Sequence, residues 1–282
     1  MRRGIIAIIF ILMIVLAGHF QYRYDASHNY AASRSTFLAL PSGKTLKILS
    51  FGYQNLVADM LFIWSIQFYS SYNLTNRYQY LEHIYNTITD LTPLYKEPYF
   101  VGSWIMALEV GDIPMAMRLL QKGARNMKNE WIFNYECGYY AYKYMRNYAL
   151  AEKYFQLAAA NPSAPPHITR QRAHMIYMEN NLEYAYQLWL DIYHKTDQDG
   201  FAHSAAMNHL HQIKFEMDKK KLEQKIKDFH KKYRRNPFNL EELLRARFIS
   251  EIPRDFGGSP YIYDSKTGTI EAQKEFKWKK QY

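Results

Sequence analysis

The sequence predicts an all-α protein, in which consecutive antiparallel helices follow an apolar amino-terminal segment and precede a short β-hairpin. Three observations support this prediction. Large apolar side chains recur at helical spacing from residue 51 to residue 248, without the alternation that is typical of strands. One pattern of apolar residues returns along the chain at nearly constant intervals. The 12 Gly and 10 Pro are few beside 26 Tyr and 16 Phe, so long ordered segments outnumber turns.

Residues 1–24 are predicted to form a transmembrane anchor. Two arginines precede the apolar run 4–20, in which His19 is the only strongly polar side chain. A helix of that length rises roughly 25 Å, close to the ~30 Å hydrocarbon layer, and aromatic residues follow where the headgroups would lie. The charge bias predicts a single-pass protein of the inner (cytoplasmic) membrane, with its body on the periplasmic or outer side. The alternative is a cleaved signal peptide, since Val15-Leu16-Ala17 resembles a cleavage pattern.

Residues 25–50 are rich in Ser, Ala and Asn and are predicted to be a linker. Residues 51–248 follow as the helical region, within which Leu81, Ala116, Ala151 and Ala185 occupy equivalent positions of the repeated pattern. These four residues are separated by 35, 35 and 34 positions. A period of this length is typical of stacked helix pairs, so we expect the alanines to lie where paired helices approach closely.

The end of the helical region predicts a divergent fifth pair of helices, at about 201–217 and 219–232. Asn239 is the predicted cap of one more helix, because acidic residues follow it in the first turn. The tail 249–282 no longer shows the helical spacing of apolar residues, and its segments 261–264 and 267–270 predict a β-hairpin. Such a hairpin is marginal alone, so we expect it to pack on the last helices or on a partner.

The repeats resemble those of the tetratricopeptide repeat (TPR) family, whose units of about 34 residues are two antiparallel helices. The segment from Gly111 to Ala116 resembles the family's Gly-x-aromatic-x-x-Ala turn into the second helix. The segment from Asn147 to Phe155 is the best single match, with Asn161-Pro162 near the family's closing Pro. The resemblance covers roughly residues 60–195 and implies a TPR-like helical-hairpin solenoid.

In that family the first helices line a concave face, which implies a partner-binding groove here. Aromatic and Arg side chains anchor a partner well, because they bury area at small entropic cost. A core role for the same aromatic stripe is the alternative at each position. The residues carried over by position are Phe133, Glu136, Tyr140, Lys143, Tyr144, His167, Arg170, His174, Tyr177 and Met178.

The net charge of +10 favours acidic partners, anionic lipid headgroups or nucleic acid, and does not by itself choose among them. Positive charge is concentrated in residues 218–235, which also carry an apolar stripe at helical spacing. A solvated helix face is the simpler interpretation, and an anionic membrane surface or an acidic partner is the functional one. No element that reads nucleic acid is recognisable, so nucleic acid is not an expected partner. The predicted basic surface consists of Lys231, Lys232, Arg234 and Arg235.

No motif predicts catalysis, a cofactor or a metal site. The sequence has no Gly-rich phosphate loop, no Gly-x-Ser-x-Gly elbow and no His-Glu-x-x-His. His209 and His211 would project about 200° apart on a helix, and His167 lacks a carboxylate or thiol at i+3 or i+4. Cys137 lies in an aromatic helix and is expected to pack as a small residue. We therefore expect a non-enzyme.

The predicted function is a membrane-anchored TPR scaffold or accessory subunit, which mediates protein–protein interaction in a membrane or envelope complex. The alternative is an envelope protein that binds a glycan or another small ligand in its aromatic groove.

Overall fold

A computed structural model describes residues 12–13, 15–20, 23, 39–72 and 74–273. These residues are mostly helical, and the sheet among them is one two-stranded hairpin, which confirms the predicted all-α class. The chain forms two compact units, Met1–Leu119 and Leu120–Tyr282. Most of the predicted anchor and of the linker lies outside the described residues. Within the part of the chain that is described, no helix is both long and apolar enough to cross a bilayer.

The first unit is organised around one helix. Its helices are α1 (Gly43–Leu49), α2 (Gln54–Tyr69), α3 (Leu81–Leu91) and α4 (Lys96–Trp104), and α4 continues as a π-helix, Ile105–Val110. Helices α1, α2 and α4 all pack on α3, whose Tyr85 and Ile88 have no accessible surface. A Cβ atom at Gly43 would lie only 2.8 Å from the Thr87 carbonyl oxygen, so α1 can approach α3 this closely only with glycine there.

The second unit is a chain of helices followed by the hairpin. Helix α5 (Ile113–Asn126) crosses the boundary between the units. It is followed by α6 (Ile132–Lys143), α7 (Tyr148–Ala159), α8 (His167–Met178), α9 (Leu182–Lys195), α10 (Phe201–Tyr233), α11 (Leu240–Arg245), β1 (Ile262–Asp264) and β2 (Thr269–Glu271). From α6 to α10, each helix packs on the next one along the chain. Short connections between such helices make sequence neighbours into spatial neighbours.

The repeated sequence pattern has a structural counterpart. Its four equivalent residues, Leu81, Ala116, Ala151 and Ala185, are all fully buried, as expected of positions at close helix contacts. In the last three copies the turn before the helix begins with a residue of positive φ: Gly111, Arg146 and Asn180. The next residue then caps the helix through its side-chain oxygen, and these caps are Asp112, Asn147 and Asn181. Each cap satisfies one of the backbone N–H groups that a helix start leaves unpaired.

Two aromatic rings of the second unit lie directly against glycine backbone. A Cβ atom at Gly123 would lie 2.7 Å from Cδ1 of Phe133, and one at Gly138 would lie 2.8 Å from Cδ1 of Phe155. Both rings are essentially inaccessible to solvent. Since real Cβ atoms do not approach a ring so closely, the glycines set the distance between adjacent helices.

The prediction of two helices near 201–217 and 219–232 is wrong, because α10 runs unbroken from Phe201 to Tyr233. A helix of that length spans roughly 50 Å. The segment contains neither Gly nor Pro, and its central Asp218 does not interrupt it. The Asp218 carboxylate instead accepts hydrogen bonds from Lys214 Nζ at 2.8 Å and from the Tyr261 hydroxyl at 2.7 Å.

The two halves of α10 belong to different clusters of the core. Its first half contributes Ala206, Leu210 and Ile213 to a cluster with α8 and α9. Its second half contributes Leu222, Ile226 and Phe229 to a cluster with α11 and the hairpin. Because each half packs in its own apolar cluster, α10 is stabilised without a single partner helix that runs along its whole length.

The predicted helix start and hairpin are both confirmed. The Asn239 side chain accepts a hydrogen bond from the Glu242 backbone N–H at 3.0 Å, which caps α11. Strands β1 and β2 pair antiparallel, with Tyr263 opposite Ile270. Ile270 is fully buried against α10, so the hairpin packs on the last long helix as expected.

Candidate functional site

Side chains of α6, α8 and α10 contact one another along one face of the second unit, which we call the α6–α8–α10 face. It combines aromatic rings, imidazoles, amides and one carboxylate. The contacting residues are Trp131, Tyr135, His167, Gln171, His174, Tyr177, His209, Gln212 and Glu216.

Helices α6 and α8 are joined through the imidazole of His167. Its ring meets the rings of Trp131 and Tyr135 edge to face, with centroids 6.5 and 5.9 Å apart. Gln171, one turn further along α8, donates from Nε2 to the Tyr135 hydroxyl at 3.4 Å. These aromatic pairs are favourable arrangements, because the electropositive edge of one ring faces the electronegative face of another.

Helices α8 and α10 are joined by a hydrogen-bonded triad. The Tyr177 hydroxyl donates to Glu216 Oε1 at 2.6 Å, and Gln212 Nε2 donates to the same hydroxyl at 2.7 Å and to Glu216 Oε1 at 3.1 Å. Burial and the bond to Glu216 raise the pKa of Tyr177 far above its ordinary value. Tyr177 therefore stays a neutral donor, and the negative charge of the triad rests on Glu216.

Two imidazoles of this face are held neutral. The rings of His174 and His209 are 5.8 Å apart, and His209 also stacks on Trp189. Burial, with a smaller effect of the neighbouring imidazole, lowers the pKa of His209 to about 3. Burial also lowers the pKa of His174. At neutral pH both rings are therefore uncharged. His209 is only 4% exposed and packs in the core, so His174 is the ring of this pair that has surface open to a partner.

Glu136 is the most distinctive charged group predicted for the site. Its carboxylate is half-buried, and burial raises its pKa. It makes no hydrogen bond or ion pair with any residue in the described part of the chain. A carboxylate in this situation is stabilised by an incoming cationic or hydrogen-bond-donating group, which would replace the water it has lost.

The remaining predicted groove residues divide by exposure. Lys143 is exposed, as are Tyr144 and Met178 at 41% and 39%, and Arg170 is half-buried. Phe133 and Tyr140 have 0% and 2% of their surface accessible. The structure assigns these two to the core, because they have too little surface to contact a partner.

Several residues of the α6–α8–α10 face were not among the sequence-predicted site residues. Trp131 and Tyr135 are one helical turn apart, and so are Gln212 and Glu216; this spacing places each pair on one helix face. That spacing is the only signal the sequence carries for them. The spacing does not predict that the α6 pair and the α10 pair both contact α8, because residues such as Tyr177 and Glu216 are far apart in the chain.

The four predicted basic residues are all exposed, but two of them are engaged within the unit. Arg235 pairs with the Glu242 carboxylate and lies 4.3 Å above the Phe238 ring. The hydrogen bond from Arg235, with that from the Phe238 N–H, lowers the pKa of Glu242 to about 2. Lys232 lies over the rings of Tyr233 and Phe248. Because a ring contact does not neutralise a lysine, Lys231, Lys232 and Arg234 keep their positive charge toward solvent, whereas that of Arg235 is paired.

The other candidate chemical groups have structural neighbours. Cys137 is fully buried, and burial raises the pKa of its thiol to about 12, which makes it a poor nucleophile. His211 lies 3.8 Å from the Asp255 carboxylate and edge to face with Phe256, away from His209. Among the described residues no three His, Cys, Asp or Glu side chains come together as metal ligands.

Comparison of the chain with protein-family models and with curated proteins finds no match.

Proposed function

We propose that the protein is a scaffold or accessory subunit of a membrane or envelope complex, built of TPR-like helix pairs, whose α6–α8–α10 face binds a segment of a partner protein. The proposal includes the anchor at residues 1–24, in the inner membrane, with the body on the periplasmic side. The observation that carries it is the half-buried network from Trp131 to Glu216, which joins α6, α8 and α10, the first helices of three successive pairs in the proposed arrangement.

The chemistry of this face suits a peptide segment. Neutral amides, hydroxyls and imidazoles can pair with the backbone groups of an extended chain, because each of them donates or accepts without carrying charge. Glu136 offers a half-buried carboxylate for a Lys or Arg of the partner. Arg170 on α8 and Lys143 on α6 carry the opposite charge, so we expect the bound segment to carry charges of both signs.

The repeated turn supports the helix-pair part of the proposal. In three successive copies a residue of positive φ precedes an Asp or Asn cap, and a fully buried alanine follows four residues after the cap. A turn that recurs at 34–35 residues aims each second helix in the same way relative to the first.

The glycan-binding alternative is less well supported by the ring geometry. Sugar rings stack on exposed aromatic faces, whereas the face of Trp189 is covered by His209, and Trp131 and Tyr135 are engaged with His167. Exposed Tyr144 remains the one ring of the predicted groove with more than a third of its surface open.

The anchor is tested by intact-mass measurement of the protein purified from its own membranes. We expect a mass that includes residues 4–20. A mature chain starting at Gly18 or His19 would mean that the segment is a cleaved signal peptide.

The scaffold is tested by purification in mild detergent of the wild-type chain, the Glu136→Lys and Arg170→Glu variants, and the control Lys153→Glu on the exposed surface of α7. We expect a stoichiometric protein partner with the wild type and the control, and its loss with the other two. A monomer without protein partner that binds oligosaccharide would instead support the glycan alternative.

A further inference from the structure

The turn between α1 and α2 exposes a dense set of large apolar side chains, which we call the α1–α2 tip. Phe51 at its apex is 85% exposed, and Ile48 and Tyr53 on either side are 77% and 70% exposed. Leu49 and Leu56 complete the tip, each with more than half of its surface open. Soluble surfaces rarely carry so many neighbouring large apolar residues, so this tip marks an interaction surface.

The backbone holds Phe51 outward at an energetic cost. Phe51 has a φ of 46°, and Gly52 after it has a φ of 92°. A left-handed conformation is uncommon and unfavourable for a bulky residue, and glycine or asparagine would adopt it more readily. Phe51 gains no compensating burial within the protein, so the folded chain alone gives no reason for an aromatic residue here.

The charged side chains of the tip segment itself have a single sign, while the exposed Asp90 of α3 lies against Gly43, at the end of α1 that is remote from Phe51. Between residues 39 and 58 the charged side chains are Lys44 and Lys47, both exposed on α1. The first carboxylate that follows is Asp59, in the second turn of α2. Exposed aliphatic and aromatic side chains flanked by lysines suit the boundary of an anionic bilayer, where rings sit among headgroups and lysines pair with phosphates.

The outward surface of α2 continues the apolar character of the tip. Leu56, Met60 and Ile63 follow one another at helical spacing on one face, and each is more than half exposed. The exposed Asp59 borders this face and interacts with Tyr95 of the same unit. Helix α2 is held to the first unit by its opposite side, where Ala58 and Ser65 are fully buried. The apolar face is therefore presented outward by a helix that is fixed in place.

We propose that the α1–α2 tip is a lipid-binding site, which inserts Phe51 and its apolar neighbours into the headgroup region of an anionic bilayer while Lys44 and Lys47 contact lipid phosphates. The contact concerns residues 44–63 and does not depend on whether residues 4–20 span the membrane.

The test uses the full-length protein with an environment-sensitive maleimide fluorophore on Asn55→Cys, an exposed position beside the tip. Cys137 is fully buried with a raised thiol pKa, so the introduced cysteine reacts selectively. A second preparation carries the label on Lys153→Cys in the second unit. Both are combined with phosphatidylcholine vesicles, with and without phosphatidylglycerol, and with lipids that bear a nitroxide on the acyl chain.

We expect the label at residue 55 to shift its emission to shorter wavelength and to be quenched by the nitroxide lipid, most strongly with phosphatidylglycerol. The label at residue 153 should do neither. Lys44→Glu with Lys47→Glu should abolish the preference for phosphatidylglycerol. Phe51→Asn should remove most of the quenching while leaving thermal stability equal or higher, because asparagine tolerates positive φ. Phe201→Ser, which removes an equally exposed ring elsewhere, is the matched control.

A residue-55 label that stays in water while the protein is bound to vesicles would overturn the proposal and leave the anchor intact. Energy transfer between labelled copies in place of lipid quenching would overturn it in favour of a dimer contact. If the protein is recovered without membranes, and the label at residue 55 is quenched only after vesicles are added, the tip proposal is supported and the anchor is refuted.

Discussion

The Trp189 indole and the His209 imidazole stack face to face, with ring centroids 3.9 Å apart and planes inclined by 19°. His209 is 4% exposed and packs in the core shared by α8, α9 and α10. Stacking of this kind suits a neutral imidazole surrounded by apolar groups, and it ties the stability of the second unit to the protonation of one ring.

The first prediction concerns acid sensitivity. Burial lowers the pKa of His209 from 6.5 to about 3. Between these two values the unfolded chain binds a proton that the folded chain does not, so the free energy of unfolding falls as the pH falls. The loss is at most about 1.4 kcal/mol per pH unit for one such group. His209→Phe should retain the stacking and flatten this dependence, as measured by urea denaturation at pH 7, 6, 5 and 4.

The control for that experiment is His230→Phe, at an exposed position of the same helix. It should leave the slope of stability against pH as in the wild type. His174 and the surrounding carboxylates are present in all three proteins, so their contributions cancel in the comparison. An unchanged slope in His209→Phe would show that His209 binds its proton over the same pH range in the folded and the unfolded chain.

The second prediction concerns Gly138, above which the Phe155 ring lies. Gly138→Ala gains about 0.5–1 kcal/mol of helix propensity, but the added methyl group would overlap the ring. Overpacking typically costs about 1–3 kcal/mol, so we expect a net loss of stability in chemical denaturation. In the Gly138→Ala background, Phe155→Leu should cost less than in the wild type, because the smaller side chain relieves the overlap. Additive effects would mean that the two sites do not touch.

The positions of the repeated helices and the start of α11 could be predicted from sequence, because they depend on local signals. The buried positions of Ala116, Ala151 and Ala185 follow from an interval, and the cap at Asn239 follows from the residues just after it. The positive φ of Arg146 had no such signal, since arginine does not favour that conformation. The structure shows it, at the position equivalent to Gly111 in the preceding repeat.

The side-chain network of the candidate site was less predictable. Helix periodicity places His174 and Tyr177 on α8, but it cannot tell that α10 supplies Gln212 and Glu216 as their neighbours. The length of α10 is unpredictable for a related reason. The period of helix pairs, continued past residue 200, predicts a break in this segment, whereas the tail that covers the second half of α10 is held by tertiary contacts such as Tyr261 to Asp218.

A third prediction tests the continuity of α10. Lys219→Pro should lower the free energy of unfolding by about 3 kcal/mol or more, because proline within a helix removes a hydrogen bond and clashes with the preceding turn. Lys219→Ala, which keeps the helix, should change it by no more than about 0.5 kcal/mol. If a second helix began at Lys219, proline would fit its first turn and both variants would behave alike.

The last prediction separates the groove from the basic surface once the protein partner has been identified. Tyr144→Ala with Arg170→Ala should speed dissociation at every salt concentration, because contacts made within the bound complex set its lifetime. Lys231→Glu with Lys232→Glu should instead slow association chiefly at low salt, since long-range charge acts on encounter and is screened over about 10 Å at 0.1 M salt.

Both pairs of substitutions avoid the core, unlike Tyr140, and circular dichroism should verify that the fold is retained. Surface-immobilised partner and a salt series then give the two rate constants separately. The proposed groove requires that the first variant changes mainly the dissociation rate and the second mainly the association rate. The groove would be refuted by two results together. The Tyr144→Ala, Arg170→Ala variant would bind the partner as the wild type does, and the Lys231→Glu, Lys232→Glu variant would not bind it even in high salt. These results would assign the partner to the carboxyl-terminal end of α10, because only a short-range contact with those lysines would survive screening.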